Sequence, residues 1–304
     1  MRPNTKLCLV PVMVLLLGLC GCGAEGEPGR PQGDSKPYQA PAFADSVFHE
    51  DKAEGIENAR IDLSCAELGI VGVSATSASR LKFQVIKGDE EYTYDLPADG
   101  TPKIFPLQSG NGTYTFIFRE HVVDKKYAVL YTMEADVTLK DEFQPFLRPS
   151  AYVDYDQDSD CVKKAAELAQ NAGSALGVVE EVYEYICDNV KYDKEKAASV
   201  QTGYLPDPDE TYGTGKGICF DYAALVAAML RSQGIPTKLV MGYVSPDDVY
   251  HAWNMFYTEE TGWVTVGYEV KADSWSRLDL TFSANGTDVQ FIGDGGNYSD
   301  VYFY

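Results

Sequence analysis

The sequence predicts an α+β protein in which an all-β region precedes a region of helices followed by strands. Two observations carry this prediction: apolar and polar residues alternate between about 56 and 139, and helical spacing begins after residue 160. A chain of 304 residues is long enough for two domains of ordinary size. We therefore expect a signal peptide at 1–21, a tether at 22–50, a small β-sandwich-like domain at 51–150 and a second domain at 151–304.

The N-terminus has the layout of a secretory signal. Two cations precede an apolar run from Leu7 to Leu19, which is shorter than the roughly 20 residues that a bilayer-spanning helix needs. The tripeptide Leu-Cys-Gly directly before Cys22 resembles a bacterial lipobox, which makes Cys22 the expected lipidation site. Ordinary cleavage nearby, with Cys22 a bystander, is the alternative. We expect a protein held by a lipid anchor on the extracytoplasmic face of a bacterial cell membrane.

The charge balance argues against nucleic acid as a partner. The chain has 25 basic and 46 acidic residues, a net charge of −21, whereas phosphate binding depends on Lys and Arg. Alternating aspartates from Asp154 to Asp160 begin like a calcium-binding EF-hand loop. However, Ser159 holds the position of the required Gly and Ala165 that of the bidentate Glu. We expect no metal and no cofactor, and a solvated loop that caps the next helix.

The first region has the two-residue period of strands. One face of each predicted strand is apolar, as expected for a sandwich of short strands. These apolar sets are Leu81, Phe83 and Val85, then Tyr92, Tyr94 and Leu96, then Tyr114, Phe116 and Phe118, and finally Tyr127, Val129, Tyr131 and Met133.

The second region changes to a helical period. Two amphipathic stripes are followed by residues 219–233, which are apolar nearly all round and end at Gly234-Ile235-Pro236. A helix of that kind must be buried. Strands are predicted after it, at 238–244, 252–257, 262–270 and 298–304.

Cys219 lies in the first turn of this buried helix, where the helix dipole favours a negative charge. His251 is the only histidine of the C-terminal region and is the candidate base. Asp279, in an apolar segment, is the candidate group that orients His251, and Asp273 is its nearest rival. Each residue also has an ordinary structural explanation, because thiols and histidines are common in protein cores. The pattern favours nucleophilic cysteine catalysis.

Several ordered blocks resemble the transglutaminase-like superfamily. The resemblance covers roughly residues 151–282 and implies a papain-like core, a triad of Cys219, His251 and Asp279, and a thioester acyl-enzyme. Leu280 stands where the family commonly has a proline, and Met255 where an acidic residue often follows, but neither position carries the chemistry. The blocks are Gly217-Ile-Cys219-Phe-Asp221-Tyr-Ala223, Gly234-Ile-Pro236, Gly242-Tyr243, His251-Ala-Trp-Asn254 and Leu278-Asp279-Leu-Thr-Phe282.

With this resemblance, we expect a membrane-anchored cysteine peptidase or amidase that acts on a peptide or protein, with a cell-wall peptide as one candidate. A catalytically inactive surface-binding protein and a true protein-glutamine cross-linking enzyme are the alternatives. Export permits disulfides, and if one forms, we expect it between Cys161 and Cys187, which belong to consecutive predicted helices.

Overall fold

The computed structural model describes residues 36–244, 249–265 and 298–304. The predicted lipidation site Cys22, the predicted orienting group Asp279 and its rival Asp273 lie outside the described residues. Among the residues described, no helix has both the length and the apolar character that crossing a membrane requires.

Eight strands, all paired antiparallel, form two four-stranded sheets in the first region. They are Glu54–Ile56 (β1), Ala59–Asp62 (β2), Ile70–Ala75 (β3), Leu81–Lys87 (β4), Glu90–Leu96 (β5), Lys103–Pro106 (β6), Gly112–Val123 (β7) and Lys126–Val137 (β8). The strand orders are β1-β2-β3-β6 and β5-β4-β7-β8. Two short 3₁₀ turns, Ala66–Leu68 and Gln144–Phe146, accompany the sheets.

Aromatic side chains join the two sheets. Phe83 of β4 stacks on Phe105 of β6 with ring centroids 5.3 Å apart, and Tyr94 of β5 lies 4.3 Å from the same ring. The alternation predicted for β4, β5 and β7 is confirmed, because their apolar sets are buried. Strand β8 also forms, but it is an edge strand with a β-bulge opposite β7, and Val129 on it is 56% exposed. The predicted all-β, sandwich-like region is therefore present.

Within the described residues, five α-helices and two further sheets follow. The helices are Asp160–Ala169 (α1), Ala175–Asn189 (α2), Lys194–Ser199 (α3), Pro208–Thr214 (α4) and Cys219–Ser232 (α5). The strands are Lys191–Tyr192 (β9), Lys216–Gly217 (β10), Thr237–Val244 (β11), Val249–Thr258 (β12), Gly262–Thr265 (β13) and Tyr298–Phe303 (β14). Strands β9 and β10 pair in parallel, and the larger antiparallel sheet has the order β13-β12-β11-β14. The α+β class is confirmed.

Helix α5 is the central element of this second region. Every residue from Asp221 to Ser232 is buried, as the all-round apolar pattern predicted. It contacts helices α1, α2 and α4 as well as strands β11 and β12. The helix ends at Ser232, and Gly234 shortly after it has a φ of +74°, a left-handed conformation that glycine adopts without strain.

The two regions share one hydrophobic core. Tyr302 of β14 lies 5.7 Å from Tyr92 of β5, and Tyr304 lies 5.8 Å from Tyr94, measured between ring centroids. Buried residues of the β region and of the helices form a single continuous cluster, and the described residues from Lys36 onward form one compact unit. A domain boundary near residue 150 stays a prediction.

The aspartate-rich loop before α1 does not cap that helix, so this expectation is wrong. One carboxylate oxygen of Asp156 accepts the N–H of Asp158 at 2.8 Å and the hydroxyl of Ser159 at 3.2 Å, which closes the loop on itself. The first N–H groups of α1, those of Asp160 and Cys161, bond instead to Asp209 of α4 at 2.9 and 2.8 Å. Within the described ranges, no group of three or more Asp, Glu, His and Cys side chains could hold a metal ion.

Candidate active site

Cys219 is the first residue of α5, and its side chain is half-buried at the end where the helix emerges from the core. Ile218 before it has extended backbone angles and no side chain that could cap the helix. The first N–H groups of an α-helix have no partner within the helix and carry the positive end of its dipole. The start of α5 is therefore a place where backbone N–H groups can stabilise negative charge.

Asp221 closes the turn that precedes the helix. Its side chain is fully buried and accepts the backbone N–H of Ile218 at 2.8 Å, which is one half of a capping box. Its carboxylate also accepts the hydroxyl of Tyr204 at 2.6 Å and the ammonium of Lys196 at 2.9 Å. Gly217 fits here because a Cβ at that position would lie 2.6 Å from the Cβ of Asp221. Sequence reasoning did not single out Lys196 and Tyr204. The detectable signal was a carboxylate inside an otherwise apolar helix, which needs partners.

His251 lies on β12 and is 7% exposed. Its ring lies nearly parallel to that of Trp253, with centroids 6.3 Å apart, so the two side chains share one side of the strand. Gly242 of β11 pairs with His251, and a side chain there would collide with Trp253 and with the backbone of Ser299. Rigid strands on a packed sheet therefore hold the candidate base.

A buried amide fastens β12 to α5. The Nδ2 group of Asn254 donates to the backbone oxygen of Ala223 at 2.9 Å and to that of Lys238 at 3.3 Å. Asn254 thus faces the helix. His251, three positions earlier on β12, lies on the other side of the strand. Asn254 lies in one of the sequence blocks that resemble the superfamily, but the sequence does not predict its role as a link between helix and sheet.

The thiol and the first residues of β12 lie at the same end of the sheet. Burial is the main cause that raises the pKa of the Tyr250 hydroxyl, and the nearby charges of Tyr302, Tyr243 and Cys219 add to it. Tyr243 and Tyr250 are paired across β11 and β12, are 44% and 51% exposed, and have ring centroids 5.4 Å apart. An open aromatic surface therefore lies beside the candidate nucleophile.

Comparison with known proteins agrees with this arrangement. Residues 162–268 match the transglutaminase-like superfamily. This part of the chain belongs to that superfamily. The match covers α1 to β13, and it includes both Cys219 and His251.

Two curated relatives match parts of the chain. The kyphoscoliosis peptidase of Mus musculus is 26% identical over 148 residues, which is 45% of this chain and 20% of that protein. The protein-glutamine gamma-glutamyltransferase of Pseudomonas aeruginosa is 34% identical over 70 residues, which is 19% of this chain and 10% of that protein. The chain thus matches a fifth or less of the length of these relatives.

Solved structures resemble the chain only distantly. A proposed cysteine protease from Cytophaga hutchinsonii is 16% identical and has a TM-score of 0.37, with 83% of this chain and 80% of that chain covered. Red sea bream transglutaminase is 13% identical and has a TM-score of 0.28, with 64% of this chain and 47% of that chain covered. These two likenesses carry no functional argument.

The other described cysteines differ from Cys219. All four are free thiols, so the expected bridge between Cys161 and Cys187 is not formed. Cys161 also lies in the first turn of a helix, but burial and the carboxylate of Asp209 raise its pKa well above the usual range. Burial likewise raises the pKa of Cys187. A place in the first turn of a helix therefore does not suffice to activate a thiol.

Proposed function

We propose that the transglutaminase-like domain is a cysteine-dependent amide hydrolase with Cys219 as nucleophile and His251 as base. The observation that carries the proposal is the environment of Cys219: a half-buried thiol begins α5, and the one carboxylate in its first turn is neutralised by Lys196. Cys161 shows the opposite arrangement, since Asp209 faces it from the same end of its helix. The superfamily match and the relative named a peptidase support the same reading.

The reaction follows from the groups proposed for this site. The Cys219 thiolate attacks the carbonyl carbon of an amide, and the protonated ring of His251 gives its proton to the leaving amine. The products of this step are a thioester on Cys219 and a free amine. Water then attacks the thioester, His251 accepts one proton from it, and the acid leaves with the thiolate restored. Asp279 is proposed to hold the other nitrogen of the ring, and the N–H of Cys219 to bond the developing oxyanion.

An amine could replace water as the acceptor. The specific observation in favour is the likeness to the Pseudomonas aeruginosa protein-glutamine gamma-glutamyltransferase. In that case, a glutamine carboxamide would react to give ammonia and an isopeptide bond. Release of ammonia that requires an added primary amine, with the amine found in the product, would favour cross-linking over hydrolysis.

We also propose that a lipid on Cys22 anchors the protein on the extracytoplasmic face of a bacterial membrane, where a peptide or protein, such as a cell-wall peptide, is its substrate. The short apolar run and the lipobox-like tripeptide support this proposal. A Cys22→Ala variant should leave the membrane fraction and lose the mass of the lipid. Retention in that fraction with no lipid on the wild type would contradict it.

Selective alkylation tests the nucleophile. The full chain, treated with iodoacetamide at about pH 6 and digested for mass spectrometry, should be labelled at Cys219 about tenfold or more faster than at Cys161 or Cys187. A His251→Ala variant should reduce this preference, because the imidazolium that stabilises the thiolate is removed. Equal labelling of all described cysteines in the wild type would contradict an activated thiol.

Turnover separates an enzyme from a binding protein. A panel of peptides, glycan-linked peptides and amine donors should be converted by the wild type and not by Cys219→Ala. Binding without turnover in both proteins would favour the inactive surface-binding alternative.

A further inference from the structure

A buried polar network lies directly beside the candidate nucleophile, and its members come from α3, from the loop that follows α3 and from the start of α5. Asp221 of α5 accepts three hydrogen bonds, from the Ile218 N–H, the Tyr204 hydroxyl and the Lys196 ammonium. Lys196 also donates to the oxygen of Tyr204 at 2.6 Å, which closes a triangle. The side chain of Asp221 has no exposure, whereas that of Lys196 keeps 25%. Lys196 and Tyr204 are the partly exposed members of the network, and Asp221 is its buried member.

This network fixes the peptide that bears the Cys219 N–H. The N–H of Ile218 is held by Asp221, and its carbonyl oxygen accepts the N–H of Tyr222 at 3.0 Å. With both ends of residue 218 held, the planar peptide group that links it to Cys219 has one orientation. The direction of the Cys219 N–H, the proposed oxyanion donor, therefore depends on where the Asp221 carboxylate lies.

Lys196 and Tyr204 are themselves held in register with the cysteine turn. The side chain of Asp193 caps α3 by accepting the N–H of Lys196 at 2.8 Å, and the N–H of Asp193 bonds to the oxygen of Gly217 at 2.9 Å. The pairing of β9 with β10 continues the same connection. The ring of Tyr204 packs edge-on against Phe220 at 6.4 Å. The segment from 191 to 204 is thus attached to both sides of the cysteine turn.

Charge gives the network a second effect. A buried, uncompensated carboxylate two residues from a thiolate would oppose the negative charge on sulfur. The Lys196 ammonium neutralises it, and hydrogen bonds to Asp221 and Tyr204 raise the pKa of Lys196 although burial lowers it. Burial and the Asp221 carboxylate raise the pKa of Tyr204 to about 12, so it stays a donor at neutral pH. Among the described residues, other titratable side chains near Cys219 are those of Tyr250, Tyr243 and Tyr302.

We propose that Lys196 and Tyr204 are positioning residues of the active site, which hold and neutralise Asp221 so that the Ile218–Cys219 peptide keeps its orientation and the thiolate of Cys219 is favoured. The reactivity of Cys219 rests on the proposed function. The anchoring of Ile218 does not depend on it. Loosening of α3 would therefore lower the reactivity of Cys219 without touching the substrate.

Two measurements on the full chain test this proposal. In Lys196→Met, the iodoacetamide labelling rate of Cys219 should fall about tenfold, the effect expected for one charge-assisted hydrogen bond. The pH at which Cys219 is labelled at half its maximal rate should also rise in this variant. Lys196→Arg keeps the charge and the donors and should label within about twofold of the wild type. Tyr204→Phe removes one donor, and its Cys219 labelling rate should lie between those of Lys196→Met and Lys196→Arg. Hydrogen exchange across 215–222 should report faster exchange of the Ile218 N–H in Lys196→Met.

Lys194→Met is the matched control, because Lys194 is an exposed lysine on the same helix. It should change neither the labelling rate nor the exchange. Wild-type labelling and unchanged Ile218 exchange in Lys196→Met would overturn the proposal. If wild-type Cys219 labels no faster than Cys187, the proposed function fails, whereas the exchange of Ile218 still decides whether Lys196 positions the turn. Equal loss in Lys196→Arg and Lys196→Met would also overturn the charge effect.

Discussion

The β region and the region built around α5 are stabilised in different ways. The first has a core of packed phenylalanines. The ring centroid of Phe83 lies within 6.1 Å of those of Phe105, Phe116 and Phe118. In the second, charged and polar groups are buried inside the apolar packing: Asp221 is 0% and Arg231 is 1% exposed. Apolar packing tolerates some rearrangement, whereas buried polar groups require a specific partner geometry. The difference places buried charged groups at both ends of α5, the helix that begins with Cys219.

The largest expected effect comes from the aromatic core. Phe83→Ala removes a fully buried ring that bridges the two sheets and should destabilise the protein by about 3–5 kcal/mol. Denaturant unfolding followed by fluorescence and circular dichroism measures it, and Val129→Ala on the exposed edge is the control. Because the two regions share a core, one transition should shift as a whole. Two separate transitions would show that the regions fold independently.

Arg231 should have the next largest effect. Its Nε donates to the oxygen of Thr237 at 2.8 Å, Nη1 to that of Arg148 at 3.0 Å and Nη2 to that of Tyr304 at 2.7 Å. Arg231→Met fills similar volume but removes these three hydrogen bonds, and we expect the free energy of unfolding to fall by about 3 kcal/mol. Arg231→Lys should lose less, because one ammonium can still bond to some of these oxygens.

The control for Arg231 is Arg80→Met, since the side chain of Arg80 is 64% exposed. It should change the free energy of unfolding by less than about 1 kcal/mol. If Arg231→Met is as mild as this control, the buried polar groups do not distinguish the two regions.

The smallest effect is expected at the one buried carboxylate of the β region, Asp62. It accepts the N–H groups of His49 and Ser64 at 2.7 and 2.8 Å, and these bonds lower its pKa although burial opposes them. Asp62→Asn should therefore lower the free energy of unfolding by about 1–2 kcal/mol at pH 7. With a lowered pKa in the folded state, the contribution of Asp62 is present above the ordinary value of 3.8 and is lost as the pH falls through the folded value.

Unfolding measured between pH 7 and pH 2 checks this prediction. The difference in the free energy of unfolding between the wild type and Asp62→Asn should narrow toward acid pH. The exposed control Asp89→Asn should have the same free energy of unfolding as the wild type at every pH. A constant difference over the whole range would mean that the charge of Asp62 contributes nothing.

The sequence by itself determined the local elements. The period of two at Leu81, Phe83 and Val85 reports which side chains face the core, and the nearly continuous apolar run after Cys219 predicts a buried helix. These patterns are encoded within one turn or one strand. The same logic located Cys219 at a helix start and His251 in a strand, so these two positions could be read without coordinates.

The tertiary structure alone decided which distant groups meet. Asp209 caps α1 from 48 residues away, Lys196 and Tyr204 reach Asp221 from another segment, and Arg231 bonds to an oxygen 73 residues later. Cys161 and Cys187 belong to neighbouring helices, yet no bridge joins them. Periodicity specifies which face of an element is buried, but not the partner it meets. The partner of a buried polar group depends on how several elements pack at once, and that packing is not written in any one segment.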